Sequence, residues 1–121
     1  MRAGRYASRF AREEWRETET LLLKAIALSE DTVDVYRSRL GNYYYETQRY
    51  REAAENYRRA LEIRQDREGD PAVSQDGLLL NLARSLERLG ERTQAVAYAA
   101  QAALLNPANR QALDLVARLR D

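Results

Sequence analysis

Two sets of small residues recur at the same intervals. Gly41, Ala53 and Ala60 stand 12 and then 7 residues apart, and so do Ala83, Ala95 and Ala102, shifted along the chain by 42. Larger residues travel with them: Leu40-Gly41-x-x-Tyr44 matches Leu82-Ala83-x-x-Leu86, and five residues after the last alanine stand Gln65 and Pro107. A small residue is what a helix crossing needs where two backbones approach closely. A fixed period of such crossings means a stack of similar units rather than one irregular core. A weaker third copy lies upstream, with Trp15 on Tyr50, Thr18 on Ala53, Leu22 on Tyr57, Ala25 on Ala60 and Leu28 on Ile63.

The units are helical. Only five glycines and two prolines interrupt 121 residues, and Ala, Leu, Glu and Arg, all good helix formers, dominate. The apolar period predicts a helix or helix pair within Ala3–Ser29, then helices at Val33–Thr47, Tyr50–Asp66, Pro71–Leu89, Arg92–Leu105 and Ala108–Arg120. Asp31-Thr32, Asp70-Pro71 and Asn106-Pro107 read as N-caps, the prolines falling in first turns. Gly90 breaks the chain between two periodic segments, and the turn near Thr47–Arg49 is less well marked. Short turns place sequence neighbours antiparallel.

Several function classes are disfavoured. A net charge of +1 gives no global field to recruit nucleic acid or an anionic membrane. With no His and no Cys, the commonest acid–base group, metal ligand and thiol nucleophile are missing. No GxGxxG, GxxxxGK, HExxH or GxSxG occurs, and Glu52, Glu55 and Glu62 read as surface residues paired with nearby arginines. An enzyme is not expected, nor a cofactor or metal. No apolar run reaches the ~20 residues that span a bilayer, and the N-terminus lacks the apolar stretch of a secretory signal, so a cytoplasmic location is expected.

Leu40, Gly41, Tyr44, Ala53, Tyr57 and Ala60, with the second set Leu79, Leu82, Ala83, Leu86, Ala95, Ala99, Ala102 and Pro107, resemble the tetratricopeptide repeat (TPR). The first copy departs at Arg37, where a large apolar residue is usual, and at Gln65, where proline is usual. The second departs mainly at Ala99, in an aromatic's place. The 42-residue spacing, longer by the stretch "RQDREGDPAVSQDG", is similar to the kinesin-light-chain type of the repeat. The resemblance implies an all-α fold of antiparallel helix–turn–helix units stacked as a right-handed α-solenoid. One TPR-like domain is expected: a partial or atypical repeat over 1–30, units over 33–67 and 71–107, and a capping helix over 108–121.

The resemblance also implies function: a non-catalytic module that binds a protein or peptide in a groove lined by the first helix of each unit. It assigns Tyr44 to the core and turns Tyr45, with Ser38 and Asn42, toward the groove; Tyr43 falls near a packing seam. In the second unit the same face presents Gly77, Leu80, Arg84, Glu87 and Arg88, with Asn81 beside them. The expected contacts are Ser38, Asn42, Tyr45, Leu80, Asn81, Arg84 and Arg88, Tyr and Arg being frequent anchors of protein interfaces. The alternative is a solvated helix face. Chaperone-binding members hold a C-terminal carboxylate with two asparagines and several cations. Asn42 and Asn81 match the asparagines, but Ser38, Gln111 and Leu115 occupy the basic positions, so a chaperone tail is not the expected partner.

Two further features have competing readings. Arg2, Arg5, Arg9, Arg12 and Arg16 form one helical stripe, read either as a phosphate, membrane or targeting contact or as a solvated face pairing with Glu13 and Glu14; nucleic acid is not the expected partner. The alanine-rich "AVAYAAQAALL" (Ala95–Leu105) reads either as a self-association surface, making a homo-oligomer or scaffold, or as tight packing on the last helix.

Overall fold

The chain was analysed as a computed structural model that describes residues 3–120, with side chains from 16 to 120. Six helices are present among the described residues: α1 (Ala3–Leu28), α2 (Asp34–Glu46), α3 (Tyr50–Asp66), α4 (Gln75–Arg88), α5 (Arg92–Leu105) and α6 (Arg110–Arg120). There is no strand among the described residues. The segment read as a helix or helix pair is one helix, α1. Substantial packing joins only helices adjacent in sequence, and it is most extensive within the pairs α2–α3 and α4–α5. That linear order is a solenoid rather than a closed bundle.

The repeated small residues are the crossing points. Gly41 is buried, and a Cβ added to it would lie 2.7 Å from Cε1 of Tyr57. Glycine is thus the residue that lets the Tyr57 ring lie on the α2 backbone. Ala53, Ala60, Ala83, Ala95, Ala99 and Ala102 are all fully buried, in one core that runs from Ile26 of α1 to Leu119 of α6.

Three helix starts differ from the sequence reading. α4 begins at Gln75, not Pro71: the Asp70 carboxylate accepts the Ala72 N–H in a local turn, and Ser74 is the cap, its Oγ accepting the Gly77 N–H at 3.1 Å. Asn109 rather than Asn106 caps α6, accepting the Ala112 N–H, while Asn106 accepts the Ala108 N–H in the preceding turn. Before α2 neither Asp31 nor Thr32 caps; the cap position is Val33, which makes no side-chain bond. Thr32 instead donates to the Ser29 carbonyl, and Asp31 accepts from arginines. In each case a good capping residue is engaged by a competing partner.

Polar side chains lock the turns. Asp31 takes Arg37 Nε at 2.8 Å and Nη2 at 3.0 Å, and Arg59 Nε at 2.9 Å. Arg37 reaches on to Asn56 Oδ1 at 2.8 Å, so it ties the α1–α2 turn to α3. The arginine standing where the repeat usually carries an apolar residue is therefore a clamp. Asp34, buried at the start of α2, accepts Arg64 Nη1 at 2.8 Å and the Asp70 N–H at 3.2 Å, pinning the long α3–α4 connection.

Candidate functional site: the cleft between the first helices

The three consecutive tyrosines have separate duties. Tyr43 and Tyr44 are both buried, and both hydroxyls donate to Glu19 of α1, at 3.1 and 2.7 Å. The Arg49 guanidinium lies over the Tyr44 ring, 4.6 Å from its centre. Burial, with the Glu19 carboxylate close by, pushes the Tyr44 phenol up to about 12 and raises Tyr43 as well. These two hold α1 onto α2. Tyr45 is half-buried, its ring edge-on to Tyr50 at 5.2 Å, and it opens onto a cleft.

That cleft, of about 370 Å³, is lined by Asn42, Tyr45 and Glu46 of α2, Tyr57 of α3, and Asn81 and Arg84 of α4. A second hollow of about 600 Å³ shares Tyr45 and Arg84 and adds Glu87, Arg88 and Arg118. The two form one continuous surface along α2 and α4. Asn42 has a fixed orientation here: its Oδ1 accepts the Tyr57 hydroxyl at 2.5 Å, which leaves its NH2 to donate. Burial raises the Tyr57 phenol far above its ordinary value, so it stays a neutral donor. Arg84 has no acidic partner within ion-pair distance among the described residues. Glu87 is paired with Arg118 of α6, whose hydrogen bonds hold its carboxyl below the usual range. Arg88 is exposed and lies 5.6 Å from the Tyr50 ring centre.

Of the expected contacts, Asn42, Tyr45, Asn81 and Arg84 come together in the cleft, and Arg88 lies in the adjoining hollow. Ser38 and Leu80 do not line it. Both are buried, at 8% and 4% exposure, and they occupy equivalent positions one turn before Asn42 and Arg84. At that level the first helices are closed in by their neighbours. Gly77, on the same face, sits under the cap of its own helix, where a Cβ would meet Ser74 Oγ at 2.7 Å. Arg118 was not foreseen. It stands one turn beyond Leu115, the buried residue at one of the basic positions, and reaches the hollow from there. The stripe of Arg2, Arg5, Arg9 and Arg12 lies outside the described side chains; Arg16 is exposed. Among the described residues no group of acidic, His or Cys side chains is placed to hold a metal ion, and no helix is long and apolar enough to cross a membrane.

Comparison with known proteins agrees with this architecture. The family description "Tetratricopeptide repeat" matches residues 36–67 and again residues 78–116. The chain belongs to the tetratricopeptide repeat family. Among solved structures it is similar to the N-terminal domain of stress-induced protein-1 from C. elegans, with a TM-score of 0.80, 12% identity, and 95% of this chain and 88% of that one covered. It is also similar to the second TPR domain of human RPAP3 in complex with the HSP70 peptide SGPTIEEVD (TM-score 0.76, 16% identity, 98% and 92% covered). A third is the Arabidopsis OM64 TPR domain (TM-score 0.75, 19% identity, 94% and 87% covered). At these identities the likeness is one of fold. No curated protein sequence matches the chain.

Proposed function

We propose that the chain is a protein-interaction module that binds an extended, acidic peptide along α2 and α4. The observation that carries the reading is Arg84, a half-buried guanidinium without an ion-pair partner among the described residues, set in one cleft with the NH2 of Asn42, Asn81 and the Tyr45 ring. An acidic side chain fits this set, because charge-assisted bonds to a guanidinium are the stronger kind and the amides supply further donors. Arg88 and Arg118 extend the positive character, while Glu46 and Glu87 oppose a uniformly acidic ligand. The RPAP3 domain, similar in fold, is recorded with a peptide whose sequence contains Glu-Glu-Val-Asp, which supports a peptide as the class of partner. Two of the positions where chaperone-binding repeats carry cations hold the buried, uncharged Ser38 and Leu115 here, so the acidic ligand we propose is read by Arg84 instead.

The helix pairs present these groups on a rigid frame, so little ordering entropy is lost on binding. Peptides selected on this chain from a random display library should carry an acidic residue. Their affinity should fall about tenfold or more when Arg84→Ala and Tyr45→Ala are combined. Undiminished binding by that double variant would remove the cleft from the account.

A further inference from the structure

The hollow beside the cleft holds more positive charge than its carboxylate balances. Tyr45 of α2, Arg84, Glu87 and Arg88 of α4, and Arg118 of α6 line it, so three guanidinium groups face one carboxylate and two positive charges are left over. Glu87 is committed to Arg118, accepting from Nη2 at 3.2 Å and from Nη1 as well. The Arg118 bonds, outweighing desolvation and joined by the fields of Arg88 and Arg84, hold the Glu87 carboxyl below its ordinary range. All three guanidinium groups thus act on one point. Arg84 and Arg88 have no ion-pair partner among the described residues. They stand one turn apart on α4, a spacing at which like charges repel. Asp114, one turn before Arg118 on α6, is exposed and forms an ion pair with none of the three.

The surplus is local. Glu46 lines the cleft and Glu87 the hollow, with Arg84 in both. A run of Asp or Glu laid along this surface would meet those carboxylates as well as the arginines. So would a nucleic acid strand, which carries a charge at every phosphate. The ligand that matches has its charge gathered at one place and is neutral on either side. A phosphorylated serine or threonine is such a group: it carries about two negative charges at pH 7, the size of the surplus, on three oxygens that guanidinium groups can share. A ligand carboxylate would bring a single charge, half of what the hollow lacks.

We infer that the hollow is a phosphate-recognition subsite, and that the acidic residue of the bound peptide is a phosphorylated serine or threonine held by Arg84, Arg88 and Arg118. The inference rests on the peptide reading above and narrows it. Asn42 and Asn81 face the peptide in the cleft, and Arg84 belongs to both parts of the surface. Arg88 and Arg118 supply the preference for a phosphoryl group over a carboxylate. Glu87 holds Arg118 in position to take part.

Peptides with random flanks around one fixed residue, phosphoserine, glutamate or serine, test it on the whole immobilised chain. Phosphoserine peptides should be retained about tenfold more than glutamate peptides, and those more than serine peptides. Arg88→Ala combined with Arg118→Ala, both at exposed positions, should bring phosphoserine down to within about twofold of glutamate, with helical circular dichroism unchanged. Arg51→Ala combined with Arg58→Ala, which removes equal charge from α3 outside the hollow, should leave the preference in place. Phosphoserine and glutamate retained alike, both above serine, overturns the inference and leaves the acidic-peptide reading standing. All three retained alike overturns both. A phosphoserine preference that survives the loss of Arg88 and Arg118 overturns the subsite. So does displacement of the phosphoserine peptides by inorganic phosphate, or by a short single-stranded DNA, at equal phosphate concentration, since the peptide would then add nothing to the phosphate.

Discussion

The two complete pairs, α2–α3 and α4–α5, are related by a shift of 42 residues and hold the same shape by different chemistry. In the first pair Asp31, Arg37, Asn56 and Arg59 form a hydrogen-bonded cluster between the helices. The equivalent positions in the second pair are Val73, Leu79, Tyr98 and Gln101; the first three pack in or against the core. The crossing differs likewise: glycine under a tyrosine in the first pair, Ala83 and Ala99 in the second. One device is shared in outline. Asp34 and Asp76 are equivalent, and each ties down the connection that follows its pair, but Asp34 uses Arg64 whereas Asp76 accepts from Asn106 at 3.0 Å and Asn109 at 2.8 Å. Backbone geometry is thus set by where small residues and turns fall. The filling between them is exchangeable, provided it is exchanged as a set.

The comparison breaks most visibly at the crossing. Tyr57→Ala should cost about 3–5 kcal/mol in urea denaturation, the cost of emptying an aromatic site in a core. Ala99→Gly, at the matching place, should cost only about 1 kcal/mol of helix propensity. Equal losses would show that the first crossing does not depend on its ring. Next in size are the two aspartates. Asp34→Ala leaves Arg64 and the Asp70 N–H without their buried acceptor and should cost about 3 kcal/mol. Asp76→Ala removes bonds from neutral amides that can turn to water, and about 1 kcal/mol is expected.

The polar cluster gives a sharper test. Arg37→Leu alone should destabilise by about 1–3 kcal/mol, since Asn56 and Asp31 lose their bridge. The triple change Asp31→Val, Arg37→Leu and Asn56→Tyr, which imports the second pair's filling, should recover most of that loss. The two forms should also differ in acid. Hydrogen bonds from Arg37, outweighing desolvation and joined by Arg59, hold the Asp31 carboxyl below its ordinary value. A depressed carboxyl stabilises the fold above its unfolded pKa of about 3.9 and loses that contribution as pH falls further. The wild type should therefore lose more stability than the triple variant in urea midpoints taken from pH 5 to pH 2.

The smallest effect is in the turns. Gln48 and Gly90 are equivalent, and both have positive φ, 64° and 80°. Gln48→Gly should stabilise by about 0.5–1 kcal/mol, and Gly90→Ala should cost a similar amount, because only glycine adopts that backbone freely. Thermal melts of the two variants that move in the same direction would contradict the equivalence.

Those turns also show what was legible in the sequence. The turn after α4 announced itself by Gly90; the matching turn after α2 did not, because the left-handed position holds Gln48. The stack was legible because crossing points demand small residues at fixed intervals, and Gly41, Ala53 and Ala60 meet that demand. The caps were misplaced where Asp31, Asp70 and Asn106 had other engagements: Asp70 and Asn106 close tight turns with the Ala72 and Ala108 N–H groups, and Asp31 is taken by Arg37 and by Arg59 of α3. For the cleft, helical spacing put Asn42 and Tyr45 on one face, and it was the resemblance to the repeat that turned this face, with Asn81 and Arg84, toward a groove. Neither could show that Ser38 and Leu80 are closed in, since burial depends on how the helices on either side are packed. Arg118 was hidden for the same reason: its relation to Glu87 spans 31 residues and two turns.

The strictly sequential packing has a consequence for how the chain acquires its shape. No substantial contact requires a loop longer than one connection and its flanking helices to close, so the entropic cost of assembly is spread over short, local steps. Either pair can nucleate, and the other then grows onto it. With apolar filling in one and mutually oriented ions in the other, salt and acid should slow the growth of α2–α3 while sparing α4–α5, making the order of folding a matter of solvent.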